Sequence, residues 1–277
     1  MKTHSVFVEK LYKQSIIPSG KKIKLSDYDP SYTAGLKDKE SAHKILETNI
    51  KKLSELQQLL YAENKNALLV VLQGMDTSGK DGTINHVMGG VNPQGCQVTS
   101  FKVPSEEELN HDFLWRIHKN IPNKGKIGIF NRSHYEDVLV VRVKDLVPKS
   151  AWKTRYDQIN KFEEILSDND VKILKFFLHI NKEEQKSRLE ERLNDPTKNW
   201  KFSLSDIQER KLWDKYMKAY EETLSRCSTE CAPWFVIPAN HKWFRNLAVS
   251  QIIVEELESW DMKFPKSSID LSKIKIE

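Results

Sequence analysis

Residues 67–80 read ALLVVLQGMDTSGK, and this stretch decides the fold of the chain. Its first half, residues 67–73, is a short apolar run rich in branched side chains, which is typical of a strand buried on both faces of a parallel sheet. Its second half matches the pattern G-x-x-x-x-G-K and precedes a run that suits a helix. In that context the pattern predicts a loop whose backbone N–H groups cradle phosphate, assisted by the helix dipole. The alternative is an ordinary connection between a strand and a helix.

The loop supplies the first set of candidate site residues. We expect Lys80 to reach the transferred phosphate, and Asp76 to bind magnesium, because Asp81 stands where a Ser or Thr usually supplies a hydroxyl to that ion. Magnesium prefers oxygen ligands and usually takes one or two carboxylates. The alternative for Asp76 is a turn-stabilising role. The residues predicted to bind the phosphates alongside Lys80 are Gly74, Met75, Thr77, Ser78, Gly79, Asp81, Gly82 and Thr83.

The rest of the chain repeats the strand pattern of residues 67–73. Apolar or alternating runs at residues 96–103, 126–130, 171–180 and 233–238 are separated by helical stretches. Strands that alternate with helices favour a parallel sheet covered on both faces. We therefore expect an α/β fold of three layers, α/β/α, around a five-stranded parallel sheet.

Composition bounds the class of protein. The chain has 277 residues, of which 39% are hydrophobic and 30% charged, which is enough for a core and too apolar for wholesale disorder. No apolar run approaches the about 18 to 20 residues of a membrane span, and the start lacks the apolar segment of a signal peptide. Three cysteines fit a reducing compartment better than a disulfide framework, so we expect a cytoplasmic protein. The net charge of +5 suits an anionic substrate without requiring one.

Glycine is unevenly distributed along the chain. All ten glycines lie at or before Gly128, and five of them fall between Gly74 and Gly90. Glycine concentrates where backbone turns tightly or approaches a ligand closely. We therefore expect the first half to build the site from backbone, and the second half to be mostly helical and to contribute side chains.

A second polar cluster, NRSHYED at residues 131–137, follows the third predicted strand. Ligands of open α/β sheets bind off the carboxyl ends of the strands, so this cluster should face the same crevice as the phosphate loop. Arg132 can fork onto phosphate oxygens. Asp137 or Glu136 can complete a magnesium shell with Asp76. The alternative is that the two acidic residues only cap the next helix.

Two further segments lie outside the strand and helix alternation. Residues 181–226 predict a helical hairpin that stands off the core as a lid, because few of its side chains suit packing on a sheet. Arg188 and Arg192 are four residues apart and share one face of it. Arginines above a phosphate loop deliver positive charge to the transition state in phosphoryl transfer, although such pairs are often only solvated. Residues 1–38 are basic, contain turn signals, and predict an extended N-terminal arm packed on the body.

Four stretches together resemble the polyphosphate kinase 2 family, over about residues 25–257. They are GMDTSGKDG, FNRSHYEDVLVVRV, RLEERLNDPTKNWKFS and APWFVIPANHKWFRNLAVSQIIVEEL, which begin at residues 74, 130, 188 and 232. The resemblance implies a P-loop kinase fold with a helical lid, one domain over residues 1–277, and Mg²⁺ as cofactor. It places Asp76 and Lys80 on the family's phosphate loop, Arg132 and Asp137 on its second motif, and Arg188 and Arg192 on its lid, all six as catalytic residues.

The function that we expect is reversible transfer of a phosphoryl group from inorganic polyphosphate to ADP or GDP, with AMP left open as an acceptor. No general base is needed, because the second pKa of a phosphate monoester is about 6 and the acceptor is already ionised. One alternative is an ATP-dependent nucleoside monophosphate kinase, and another is a nucleotide-binding regulator or RNA-binding protein. Basic residues dispersed among acids argue against a nucleic-acid partner. We expect a homo-oligomer that binds polyphosphate and nucleoside di- and triphosphates, and neither nucleic acid nor membrane.

Overall fold

The fold was analysed in a computed structural model, in which residues 2–270, 274 and 276 are described. Its strands are β1 (Ile16–Ile17), β2 (Ala67–Gln73), β3 (Cys96–Ser100), β4 (Ile127–Asn131), β5 (Val171–His179) and β6 (Trp234–Pro238). Its helices are α1 (Lys2–Ser15), α2 (Lys39–Glu63), α3 (Lys80–Met88), α4 (Glu106–Leu109), α5 (Trp115–His118), α6 (Val140–Val143), α7 (Lys149–Asp168), α8 (Lys182–Asn194), α9 (Leu204–Lys211), α10 (Trp213–Cys227) and α11 (Lys242–Glu258).

The strands form one mixed sheet in the order β1-β6-β5-β2-β4-β3. Five strands are parallel and coincide with the five predicted segments to within a few residues. The prediction of five strands was nevertheless wrong in number, because β1 adds a sixth at the edge and pairs antiparallel with β6. Two residues are too few to show the alternation that identifies a strand from sequence.

Helices cover both faces of the sheet, as the alternation of side chains on β5 shows. Lys175 bonds to Glu163 of α7, and Phe177 contacts Tyr220 of α10. Phe176, between them, points to the opposite face, where its register neighbour Phe235 meets α1. The second layer of helices contains α1, α2, α3 and α11, and the three-layer α/β/α architecture is confirmed.

The N-terminal arm is not extended over its first part. Residues 2–17 form α1 and β1, and the arm loses regular structure only after them. Phe7 and Leu11 lie one helical turn apart and are both buried, and the ring of Phe7 meets Phe244 edge-on at 6.5 Å. This apolar pair packs the helix on the body. The prediction of an extended arm was wrong for residues 2–15, because it was based on the lysines and turn residues of the segment.

The segment predicted as a lid, residues 181–226, divides into two parts. Helix α10 packs on α6 and α7 and buries Trp213, Tyr216, Tyr220 and Leu224, so it belongs to the body. Their spacing of three or four residues is the apolar stripe of an ordinary core helix. The end of α8, the following turn and α9 are more exposed, which narrows the predicted lid to about residues 190–211.

Among the described residues, no helix combines the length and the apolar character that crossing a membrane requires.

Candidate active site

The loop between β2 and α3 has the backbone of a phosphate cradle. Gly74, Thr77 and Gly79 have φ angles of 151°, 66° and 101°, a region that glycine adopts easily and threonine rarely. A side chain at position 74 is excluded, because a Cβ atom there would lie 2.8 Å from the carbonyl oxygen of Leu178. Helix α3 begins at Lys80 directly after this turn. The N–H groups of its first turn, which have no partner within the helix, therefore lie at the loop.

Lys80 is the buried cation of the loop. Its Nζ atom donates to the carbonyl oxygens of Gly74 at 2.9 Å and Met75 at 3.3 Å. Burial, followed by repulsion from Arg132, lowers the pKa of Lys80 to about 8, against the attraction of Asp76 and other nearby carboxylates. An anion bound in the loop would favour the charged form of this side chain.

The predicted phosphate-loop residues divide into two groups. The members that line a pocket are Asp76, Thr77, Gly79, Lys80, Asp81 and Gly82. The members behind it are Gly74, Met75, Ser78 and Thr83. The hydroxyl of Thr83 donates to the carbonyl oxygen of Gly79 at 3.1 Å, so it serves the helix and does not stand in for the missing hydroxyl after the lysine.

The second polar cluster meets the loop at the carboxyl edge of the sheet. Strands β2 and β4 are neighbours, with Leu72 in register with Asn131. The amide of Asn131 donates to Asp81 at 2.6 Å, and the guanidinium of Arg132 donates to Asp76 at 2.8 Å. Arg132 has a φ of 62°, so the backbone turns sharply here as well. The structure thus brings together the two clusters that the sequence placed on separate strands.

The neighbouring carboxylates Glu136 and Asp137 face different surroundings. Burial raises the pKa of Glu136, opposed by the positive charges of Arg132 and Lys80, so this carboxylate belongs to the neighbourhood of the loop. Asp137 instead contacts Arg155 at 3.1 Å and Arg116 at 3.8 Å. Neither of the two carboxylates is among the described residues that line the pocket. Both lie in a short 3-10 helix, where consecutive side chains diverge by about 120°.

The two arginines of α8 also have different roles. Arg188 is 5% exposed and donates to the carbonyl oxygens of Thr77 at 2.8 Å and Ser78 at 3.0 Å. It therefore holds the loop from behind. Arg192 lines the pocket and pairs with Asp206 of α9 at 3.3 Å. Of these two arginines, Arg192 is the one that faces the pocket, which is the position expected for a lid arginine that acts on a bound phosphate.

The pocket formed by these parts is strongly cationic. It has a volume of about 410 Å³ and is lined by basic side chains from four separate segments. These side chains are Lys80, Lys102, Arg132, Arg192 and Lys201, and the carboxylates beside them are Asp76 and Asp81. Such a pocket suits a ligand that carries several negative charges and offers an oxygen surface to a divalent cation.

The carboxylates at the pocket fit magnesium. No group of three or more His, Cys, Asp and Glu side chains within the described ranges is arranged to hold a metal. Magnesium does not need one, since it is usually held by one or two carboxylates together with water and substrate phosphates. Asp76 lines the pocket, and its charge acts on Glu136. Asp76, which also pairs with Arg132, supplies one such carboxylate at the pocket. Glu136 is the neighbouring candidate for a second one, although it is not among the described residues that line the pocket, whereas Asp137 is engaged by two arginines.

Among the residues at or behind the pocket that were not predicted as site residues, four are charged. Lys102 and Lys201 line the pocket, and the charges of Asp76 and Arg132 both act on Asp206 of α9. Arg245 of α11 is buried against the back of the loop. Lys102 lay inside the predicted run 96–103, whereas the structure ends β3 at Ser100, so the sequence pattern did not show that Lys102 follows a strand. The other three depend on how distant segments pack, which sequence spacing does not reveal.

Comparisons with known proteins agree on one family. The sequence model of the family described as Polyphosphate kinase 2 (PPK2) matches residues 36–265. The AMP/ADP-polyphosphate phosphotransferase of Meiothermus ruber is 52% identical over 266 residues, which cover 96% of this chain and 99% of that protein. The ADP-polyphosphate phosphotransferase of Rhodopseudomonas palustris is 47% identical over 268 residues, which cover 92% and 93% of the two chains.

A solved structure agrees as well. The crystal structure of polyphosphate kinase 2 from Arthrobacter aurescens TC1 matches with a TM-score of 0.90 at 43% sequence identity. The match covers 93% of this chain and 92% of that one. The fold and the sequence therefore lead to the same group of proteins.

Proposed function

The chain belongs to the polyphosphate kinase 2 family and is a polyphosphate:nucleotide phosphotransferase; from that premise we propose that it transfers a phosphoryl group from inorganic polyphosphate to ADP, with Mg²⁺ as cofactor. The observation that carries the proposal is the pocket in which Lys80, Arg132 and Arg192 surround Asp76. An excess of cations around two carboxylates, Asp76 and Asp81, suits two polyanions that share a metal ion.

The proposed step is a direct displacement. A terminal oxygen of the ADP β-phosphate attacks the end phosphorus of polyphosphate, and the bridging P–O bond to the shortened chain breaks. No proton has to be removed, because the attacking phosphate is ionised near neutrality, its second pKa being about 6. Catalysis then consists of holding two anions in line and neutralising their charge.

Each residue of the pocket has a proposed part in that step. Lys80 and the N–H groups of the first turn of α3 hold the transferred phosphoryl group. Arg132 binds phosphate oxygens by its guanidinium fork, and Arg192 adds charge from the lid. Asp76 and Glu136 would hold magnesium, which supplies charge neutralisation of the phosphates when it is bound.

Two residues of the expected catalytic set are reassigned in this proposal. Asp137 is placed as the acidic partner of Arg155 and Arg116, which positions the 3-10 helix that carries Glu136. Arg188 is placed as a support of the loop carbonyl groups. Neither needs to touch a substrate, and both act through the residues beside them.

AMP is a second proposed acceptor. The relative from Meiothermus ruber, at 52% identity, is named for both AMP and ADP, while the relative from Rhodopseudomonas palustris is named for ADP. Acceptance of AMP would make the same pocket add two phosphoryl groups in succession. The reaction takes place at the phosphates and not at the base. Adenine and guanine nucleotides are therefore both tested as acceptors.

The test is a panel of AMP, ADP, GMP and GDP, each incubated with polyphosphate and Mg²⁺ in the absence of ATP, with products separated by chromatography. The proposal expects ATP from ADP, and ADP followed by ATP from AMP. A Lys80→Met variant in the same panel excludes contaminating kinases. Product formation only when ATP replaces polyphosphate would instead identify a nucleoside monophosphate kinase. Salt-resistant RNA binding without any turnover would identify a binding protein.

A further inference from the structure

The back of the phosphate loop is held by a second buried arginine, Arg245 of α11. Arg245 is 3% exposed, and its guanidinium donates to the carbonyl oxygen of Ser78 at 3.3 Å. Its Nε and Nη2 atoms donate to the amide oxygen of Asn246 at 3.1 and 2.8 Å. The side chain is therefore fixed at both ends of its fork, by its own helix and by the loop.

The guanidinium fills the space that the loop glycines leave open. A Cβ atom at position 79 would lie 1.8 Å from Nη1 of Arg245, and one at position 82 would lie 3.2 Å from Nη2. Gly79 caps the N-terminus of α3. The charge thus lies directly behind the peptide groups whose N–H ends have no partner within the helix.

Arg245 and Arg188 converge on one atom. The carbonyl oxygen of Ser78 accepts from Arg188 at 3.0 Å and from Arg245 at 3.3 Å. Arg188 also pairs with the carboxylate of Glu184 at 2.7 Å, whereas the hydrogen bonds of Arg245 go to an amide oxygen and a carbonyl oxygen. Burial and the nearby charge of Arg188 lower the pKa of Arg245 to about 10. The guanidinium of Arg245 is therefore still charged at neutral pH.

A buried charge that is balanced only by neutral dipoles is costly, and it is best balanced by an anion nearby. The side of the loop opposite Arg245 is the pocket that receives phosphate under the proposed function. We propose that Arg245 is a positioning residue of the phosphate loop. It fixes the peptide after Ser78 and adds positive potential to the cradle, which a bound polyanion offsets. This inference rests on the proposed function and adds to it a residue that touches no substrate.

The inference separates binding from folding. If Arg245 serves the bound anion, its replacement by methionine should weaken anion binding while sparing the ligand-free protein, because a buried repulsion between two cations is removed as well. If Arg245 were only a packing residue, its replacement should lower the melting temperature of the ligand-free protein and leave the affinity for the anion unchanged.

The experiment measures tripolyphosphate binding by calorimetry and thermal shift for the wild type, Arg245→Met and Arg245→Lys. Arg245→Met is expected to raise the Kd at least tenfold, to lose most of the stabilisation by tripolyphosphate, and to melt within about 3 °C of the wild type without ligand. Arg245→Lys keeps the charge and is expected to raise the Kd less than threefold. Arg226→Met removes an arginine paired with Glu222 on α10 and should change neither quantity.

Two results would overturn the inference. One is an Arg245→Met variant that binds tripolyphosphate within twofold of the wild type. The other is an Arg245→Lys variant that raises the Kd at least tenfold over the wild type, which would exclude a role for the charge. This result can be obtained even if the methionine variant does not fold. Binding is measured without turnover, so a wild type that binds tripolyphosphate but makes no ATP would refute the proposed function alone.

Discussion

Two segments meet at the pocket, the loop after β2 and the segment after β4, and they are held in place in different ways. Each has a residue other than glycine at positive φ, Thr77 in the loop and Arg132 in the segment. The loop is fixed through its backbone, because Arg188 and Arg245 donate to its carbonyl oxygens.

The segment after β4 is fixed through its side chains. His134 and Tyr135 bond to the buried carboxylate of Glu163 at 3.1 and 2.8 Å. Lys175 of β5 donates to the same carboxylate and to the Tyr135 hydroxyl, and it is fully buried. The loop is therefore supported by two arginines that lie directly behind the site. The segment after β4 is supported by a buried network in which Lys175 neutralises Glu163. Changes to the first should act on activity, and changes to the second should act on stability.

The largest effect is expected in the loop itself. Lys80→Met and Asp76→Asn should each lower kcat about 10³-fold, or about 4 kcal/mol, because they remove a charge that stabilises the transition state. Circular dichroism should stay that of the wild type, because neither change removes an apolar contact of the core. Lys172→Met, which removes a partly buried lysine of β5 that pairs with Glu256 at 3.7 Å, is the control. Activity within tenfold of the wild type in either loop variant would refute the assigned role.

The buried network is expected to respond in the opposite way. Lys175→Met leaves the carboxylate of Glu163 without its cation and should cost about 3 kcal/mol of unfolding free energy, measured by urea denaturation. The double variant Glu163→Met with Lys175→Met should lose less than the sum of the two single variants, since it leaves no buried charge unpaired. At a temperature where the variants are folded, kcat should remain within a few-fold of the wild type. A loss of kcat as large as in the loop variants would erase the distinction.

The adjacent carboxylates Glu136 and Asp137 test whether the segment after β4 separates magnesium binding from structural support. Glu136→Gln should lower kcat about 30-fold, or about 2 kcal/mol, and raise the Mg²⁺ concentration for half-maximal activity, because it removes a proposed ligand. Asp137→Asn should leave that concentration unchanged and lower the stability by about 1 to 2 kcal/mol, through the loss of charge opposite Arg155 and Arg116. The reverse pattern would return the magnesium role to Asp137.

The same contrast explains what could be predicted from sequence. The loop was recognisable because its glycines, lysine and preceding strand are contiguous, and the five parallel strands followed from local apolar patterns. The carboxyl-edge rule for α/β sheets then predicted that residues 131–137 face the loop, and Arg132 does pair with Asp76.

Other features depend on packing between distant segments. Nothing local distinguishes Glu136 from Asp137, because a 3-10 turn rather than a regular helix decides which of them faces the loop. The support given by Arg245 and the pairing of Arg192 with Asp206 join residues far apart in the chain. Helix α10 looked like a charged surface helix because its four core aromatic and leucine residues are surrounded by lysines and glutamates.

The smallest effect concerns pH, and it follows from the burial of Lys80. Its pKa is lowered to about 8, so the charge that receives phosphate is present below that pH and is lost above it. Since kcat/KM reports the free enzyme, kcat/KM for polyphosphate at low ADP should fall about twofold from pH 7 to 8 and about eightfold between pH 8.5 and 9.5. The nucleotide phosphates do not titrate in this interval, because their pKa of about 6 lies well below it.

Stability should move with pH in the opposite direction. Between pH 8 and 10.5 the unfolded chain keeps a proton on Lys80 that the folded protein has released, so this side chain makes the unfolding free energy rise with pH. Lys80→Arg is the control for both measurements, because a guanidinium stays charged throughout the interval. The kcat/KM of this variant for polyphosphate should show no decline that begins near pH 8. An equal decline of kcat/KM in the Lys80→Arg variant would show that another group titrates in this interval. The lowered pKa of Lys80 would then not explain the pH profile.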